Sequence, residues 1–181
     1  EMRTNYPGFK GGDRTNIELP QVQREMLALL KTTGKPLVYV NCSGSAMGMV
    51  PETQNADAIL QAWYGGECAG EAVADVLFGD YNPSGKLPVT FYKNAEQLPD
   101  FLDYTMKGRT YRYMKETPLF PFGYGKSYTT FSLDKPSYKK GKVYVTVTNT
   151  GEIDGCEVVQ VYVRKQGDAE GPNKTLRAFQ R

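Results

Sequence analysis

Five carboxylates sit in or beside loop-like stretches of this 181-residue chain: Glu1, Asp13, Glu18, Glu67 and Glu71. The chain has no histidine, so neither a Ser-His-Asp nor a Cys-His arrangement can be assembled from its residues, and acid–base chemistry falls to carboxylates, Tyr, Lys or Cys. A carboxylate pair is the simplest such machine. Glu67 follows an apolar run and opens an amphipathic one, in LQAWYGGECAGEAVADVLFGD. Its plainest role is charge at a helix N-terminus, a stabilisation of about 0.3–1 kcal/mol. The neighbouring Asp13 and Arg14 read as an ion pair fixing a loop, and Trp63 with Tyr64 as aromatics that either stack on a sugar ring or pack over the helix. GGDR and WYGGE match neither a phosphate loop nor a dinucleotide fingerprint.

These residues need elements to hold them. Residues 1–20 read as a loop. QVQREMLALLKTT places Val22, Met26, Leu29 and Leu30 at helical spacing, with Pro20 suited to a first helical position and Gly34 closing the helix. PLVYVN reads as a strand buried on both faces, NCSGSAMGMVPE as a loop, and AILQAW as a second apolar run. The 3.6-residue period then resumes through Ala69, Val73, Val76 and Leu77 and stops at Gly79. LPVTFY is a further candidate strand. This alternation predicts a parallel sheet with crossover helices, whose ligands bind beyond the carboxyl ends of the strands.

From about residue 96 the chain becomes rich in Tyr, Phe, Pro and Gly and reads as an ordered connector to residue 127. From 128 the period drops to two. KVYVTVTN and EVVQVYVRK alternate as antiparallel strands of a β-sandwich with one wet face. The expected division is therefore 1–95 for the end of an α/β sandwich domain with a parallel sheet, 96–127 for the connector, and 128–181 for the opening strands of an immunoglobulin or fibronectin type III-like sandwich. Too few strands are visible to complete either unit, so the chain is expected to be a fragment.

Composition excludes several classes. The net charge of +2 argues against nucleic-acid and membrane-surface partners. No apolar run approaches the roughly 20 residues of a bilayer span. Cys42, Cys68 and Cys156 fit neither a disulfide framework nor a zinc spacing and are expected as interior or partly buried thiols. No metal or cofactor is expected.

The segments GGDRTNIELPQVQ, GKPLVYVNCSGSA, AILQAWYGGECAGEAVADVLFGDYNPSGKLPVTF, KGRTYRYM, LFPFGYGKSYTTF and VTVTNTGEIDGCEVVQVYV follow one another in this order. The series resembles the C-terminal part of glycoside hydrolase family 3, exo-acting β-glycosidases of the β-xylosidase and β-glucosidase type. The resemblance implies a carbohydrate substrate, no cofactor, and retaining hydrolysis by two carboxyl groups. It places the nucleophilic aspartate on an N-terminal barrel with no counterpart in these residues, which becomes the missing partner domain. It places the acid/base glutamate in a loop just before GGDR. Glu1 is the candidate within the chain, the alternative being a glutamate a few residues upstream. Asp13, Arg14, Trp63 and Glu67 become loop residues adjacent to substrate, with AWYGGE supporting rather than performing the chemistry. β-Xylosides are preferred over β-glucosides on the NCSGSA and MKGRTYRYM segments. A periplasmic or secreted enzyme is implied, and the isolated chain is expected to be inactive. A non-catalytic carbohydrate-binding or scaffold module is the alternative function, and a flavodoxin-like carrier is disfavoured because NCSGSAMG makes a poor phosphate loop.

Overall fold

The computed structural model describes residues 9–10 and 13–181. Glu1 lies outside the described residues. A two-residue ladder pairs β1 (Phe9–Lys10) with β2 (Asp13–Arg14), where the sequence reads as loop. Helix α1 (Gln21–Lys31) begins after Pro20, which gives up no helical hydrogen bond there. Strand β3 (Val38–Asn41) pairs in parallel with β4 (Ala58–Gln61), joining Val38 to Ala58 and Asn41 to Gln61. The crossover between them contains α2 (Val50–Asn55), a helix inside the stretch expected as loop; Pro51 sits in its first turn, which is what hides it from a periodicity argument. Helix α3 (Ala69–Phe78) follows and ends on Gly79 at φ +88°, a left-handed cap that a side chain would strain.

The core collects Leu19, Leu27, Met47, Met49 and Phe91, with Tyr39, Trp63, Leu87 and Phe120 packed against it. Of the apolar stripe expected on α1 only the adjacent Leu27 is buried, whereas Val22 and Leu29 are each 70% exposed. β3 is likewise not enclosed on both faces, since Val38 is exposed. A parallel strand is covered by neighbours on both sides, and among the described residues β3 and β4 have only each other.

The segment LPVTFY is not a strand of this sheet. It pairs irregularly with the FPFGYG segment. Leu87 N–H donates to Tyr124 O (2.8 Å), Gly123 N–H to Leu87 O (2.8 Å), and Phe91 N–H to Phe120 O (2.9 Å). Pro88 removes a donor in mid-run and prevents a regular ladder. The tyrosine-rich stretch that follows holds a short helix, α4 (Thr110–Tyr113).

Six strands close the chain. β5 (Phe131–Leu133) pairs with β8 (Val147–Asn149), and β6 (Ser137–Lys139) with β7 (Lys142–Tyr144), both antiparallel. They form one long hairpin interrupted in the middle. Leu133 faces Val147 but Ser137 faces Tyr144, so the register slips by one residue beside Pro136. The hairpin turns at Lys140 and Gly141, with φ of +48° and +78°, as a two-residue loop of the type that matches strand twist. The expected continuous strand KVYVTVTN is thus two strands with different partners. β9 (Val159–Val163) pairs antiparallel with β10 (Thr175–Gln180), a strand the alternation argument did not include; a bulge between Leu176 and Ala178 interrupts its period.

The β-rich part is mounted on the rest largely through Asn82. Its Oδ1 accepts from Ser127 Oγ (2.9 Å) and Tyr128 N–H (2.8 Å), and its Nδ2 donates to Asp154 O (3.0 Å). Lys86 pairs with Glu157 at 2.8 Å, and Tyr128 donates to Val76 O (2.7 Å). All three cysteines are exposed rather than interior: Cys42 directly follows β3, Cys68 directly precedes α3, and Cys156 lies in irregular chain ahead of β9.

Asp57 ties α1 to the start of β3. Lys31 Nζ donates to its Oδ1 (2.9 Å) and Leu37 N–H to its Oδ2 (2.8 Å). The Lys31 hydrogen bond, then that from Leu37, holds the Asp57 carboxyl below its ordinary value. A depressed carboxyl contributes stability above its unfolded pKa that is lost as pH falls through the folded value. The difference in thermal midpoint between the native chain and Asp57→Asn is expected to be present at about pH 7 and to shrink as pH falls through and below the ordinary carboxylate range. A difference independent of pH would contradict the assignment.

Candidate functional site

The carboxyl ends of β3 and β4 are bound to each other by side chains. Asn41 Nδ2 donates to Gln61 Oε1 (2.6 Å) and to Ser43 Oγ (3.0 Å), and Ser43 Oγ donates to Ser45 O (2.9 Å). Tyr39 OH donates to Asn41 Oδ1 (2.7 Å). Burial first, then the charges of Glu52 and Cys42, push the Tyr39 hydroxyl above its ordinary pKa and keep it a donor. Ala62 N–H donates to Asn41 O (2.9 Å), carrying the pairing one residue beyond the strands. The two loops that follow these strands, NCSGSA and AWYGGE, therefore form one unit. Tyr64 lies over Gly44, where a Cβ would stand 2.7 Å from the ring.

Trp63 occupies φ +57°, unusual for any side chain and disfavoured for a bulky one. Its ring meets Phe91 edge-on at 6.0 Å, and it lines a cleft of about 530 Å³ that also takes in Ser45, Tyr92, Tyr111, Arg112 and Phe122. So Trp63 both packs on the core and faces solvent-accessible space. Glu67 is exposed just ahead of α3, with Glu71 in the first helical turn. Both positions suit the helix dipole.

The segment that follows the GG of GGDR is held by a second set of contacts. Arg14 donates to the Glu18 carbonyl and to Met47 Sδ (3.2 Å). Gly48 N–H donates to Ile17 O (2.9 Å), and Glu18 forms a parallel bridge with Gly48. Arg24 Nη2 donates to Gly48 O (3.3 Å), while its Nε lies 3.2 Å from Glu52 Oε1. Glu52 is fully buried. A hollow of about 600 Å³ separates Arg14, Glu18 and Arg24 from Asn94 and Glu96. Asp13 is fixed in β2 by its backbone pairing with Lys10.

Of the sequence candidates, Arg14 and Glu18 come together and Trp63 and Glu67 share one loop. The two groups meet indirectly through Met47, which touches Arg14 and belongs to the core that Trp63 packs against. Sequence reasoning passed over Asn41, Gln61 and the Arg24–Glu52 pair. A signal for the first two exists: PLVYVN ends in an amide residue and AILQAW carries one, and the two are register partners.

The molecule is thus an α/β unit whose loop edge, free of histidine, meets an aromatic cleft and carries an antiparallel β-rich extension. Residues 4–128 match the glycosyl hydrolase family 3 C-terminal domain. The chain is 59% identical over its whole length to a xylan 1,4-β-xylosidase of Xylanibacter ruminicola, covering 22% of that protein. It is 44% identical to a periplasmic β-glucosidase of Salmonella typhimurium, with 95% of this chain and 25% of that protein aligned. The β-glucosidase DesR of Streptomyces venezuelae, solved with D-glucose, superposes with a TM-score of 0.83 at 32% identity over 94% of this chain and 25% of its own. The chain belongs to glycoside hydrolase family 3, as the C-terminal domain of that family. It spans about a quarter of the length of these relatives. No helix among the described residues is long and apolar enough to cross a membrane.

Proposed function

We propose that the chain is the C-terminal part of an exo-acting, retaining β-glycosidase that removes terminal β-linked sugars, with β-xylosides preferred to β-glucosides. The observation that carries this reading is the 59% identity, over every residue of the chain, to a xylan 1,4-β-xylosidase. In this reading residues 1–95 end an α/β sandwich domain, 96–127 connect, and 128–181 begin a fibronectin type III-like sandwich. The periplasmic relative supports an exported enzyme.

The chemistry follows from the carboxylates. In retaining hydrolysis two carboxyl groups stand about 5–5.5 Å apart, one attacking the anomeric carbon while the other protonates the leaving oxygen and later activates water. The nucleophile comes from a barrel-type domain beyond these residues. The acid/base is Glu1 or a glutamate shortly before it. The part played by the described residues is placement: Arg14, Gly48 and Arg24 hold the chain that leads from that glutamate into α1. Asp13, Arg14, Trp63 and Glu67 lie beside the substrate without exchanging protons with it.

Two outcomes test this. The isolated 181-residue chain is expected to release no p-nitrophenol from aryl β-xylosides or β-glucosides, whereas the protein with its barrel domain turns over the xyloside faster. Release by the chain alone contradicts the division of labour, and sugar retention without hydrolysis by the longer protein favours a binding module. In the longer protein Glu67→Gln is expected to keep kcat/KM within about tenfold, roughly 1.4 kcal/mol in barrier. A loss of several orders of magnitude would make Glu67 catalytic.

A further inference from the structure

The cleft beside Trp63 has one wall whose place is not set by its own segment. That wall is α4, a single turn of four residues, from which Tyr111 and Arg112 line the cleft. A helix so short has no stability of its own in water. It also begins under strain. Thr110 holds φ +56°, a true outlier for a β-branched residue, and such a conformation persists only where the surroundings over-determine it. Two nearby groups help: the Tyr92 hydroxyl accepts the Thr110 N–H (3.2 Å), and Phe122 stacks on Tyr111 with ring centres 4.4 Å apart.

The remaining contacts come from the β-rich part. Asn173 N–H donates to Arg112 O, and Asn173 Nδ2 donates to Met114 O (2.9 Å) across 59 residues of chain. Both acceptors belong to the carbonyls that a helix end leaves without intrahelical partners. Just beyond Asn173, Leu176 N–H of β10 donates to Tyr111 OH (3.3 Å). The Tyr111 ring meets Tyr162 of β9 edge-on at 5.8 Å, and Lys174 Nζ stands 4.3 Å over the centre of the Tyr162 ring. Leu176 and Tyr162 are register partners, so one ladder carries both contacts to Tyr111, and Asn173 fastens the end of the turn beside them.

We propose that Asn173 is a positioning residue for the glycosidase reaction, acting through α4 to fix where Tyr111 and Arg112 stand around the cleft shared with Trp63. The inference rests on the glycosidase reading of the chain, in which Trp63 lies beside the substrate. It makes the β-rich part a working component of the site rather than an appendage. Asn173 is exposed, so what its side chain contributes is a directed hydrogen bond and not packing of the core.

Asn173→Asp is isosteric and sets a carboxylate oxygen against the Met114 carbonyl, which repels where the amide held. Asn173→Gln keeps an amide donor. In the longer protein Asn173→Asp is expected to raise KM for an aryl β-xyloside about fivefold, the scale of one neutral hydrogen bond, with kcat within about twofold. Asn173→Gln is expected to recover part of that loss. Trp63 is the sole tryptophan of the 181-residue chain, and in that chain Asn173→Asp is expected to move its emission to longer wavelength and increase its quenching by acrylamide, as the α4 wall loosens and water enters. Native Trp63 emission in Asn173→Asp overturns the proposal, as does native KM in an active longer protein, even where the thermal midpoint falls. The two readings fail separately. Hydrolysis with KM indifferent to Asn173→Asp removes the role of Asn173 alone. An emission shift in the chain, with a longer protein that cleaves no aryl β-glycoside, removes the hydrolase reading and leaves α4 held by Asn173.

Discussion

Replacing Arg24 by methionine is expected to destabilise the chain by about 3 kcal/mol, a fall in thermal midpoint of roughly 6–12 °C for a domain of this size. Glu52 sets the cost. It is fully buried on α2, and the Arg24 Nε at 3.2 Å is its charge partner. Neither carboxylate oxygen has a hydrogen bond of good geometry, so the pair is electrostatic compensation with little directional support. Removing the guanidinium leaves an anion in the interior, which is far costlier than never having buried one. Arg24 is 30% exposed, which keeps the estimate at the low end of the range for broken buried pairs. The contact to Gly48 O is lost at the same time. Adding Glu52→Gln to the same chain is expected to recover much of the loss, because an amide tolerates burial better than an unpaired carboxylate. Urea melts of the two single variants and the double variant measure the coupling directly. Additive effects, with no recovery in the double variant, would show that the pair is incidental.

The second large effect is expected at Gly125. A Cβ on this residue would overlap the carbonyl oxygen of Gly85 and stand 3.0 Å from Lys86 Cδ. The obstruction is backbone, so the Gly125→Ala chain must move one segment off the other rather than turn a rotamer. That movement strains the Leu87–Tyr124 and Gly123–Leu87 hydrogen bonds. It also pulls Lys86 away from both Gly125 O (2.9 Å) and Glu157, and the Lys86 and Glu157 side chains are largely shielded from water. Overpacking of this kind costs about 1–3 kcal/mol, and the lost contacts place Gly125→Ala at the upper end. Gly66→Ala is the control, since a Cβ there meets nothing within 4 Å. Equal stability of the two variants would mean that the approach of the two segments relaxes freely.

Much of this architecture is written in local pattern. The 3.6-residue period marks α1 and α3, Gly79 marks the end of α3, and the two apolar runs find each other as β3 and β4 in register. The site loops are legible for the same reason, as whatever follows each run. What escaped is set by contacts distant in sequence. LPVTFY has strand composition, but its partner lies some thirty residues away in FPFGYG, and Pro88 spoils the ladder. The run KVYVTVTN alternates without interruption, yet the slip opposite Pro136 divides it. α2 is too short and too polar for a period to register, and β10 carries a bulge that erases its alternation. Glu52 resembles any surface glutamate until Arg24 is placed beside it.

Asn82 reaches Ser127, Tyr128 and Asp154, and these three anchors bracket the hairpin of β5 to β8 without including it. Everything between them is a closed excursion that leaves the mount and returns to it. Growth at the Lys140–Gly141 tip adds only a slowly rising closure entropy and disturbs none of the three anchors. The tip is therefore the natural place for relatives to differ in length, and a foreign peptide grafted there would ride on the molecule without shifting the seat of the β-rich part.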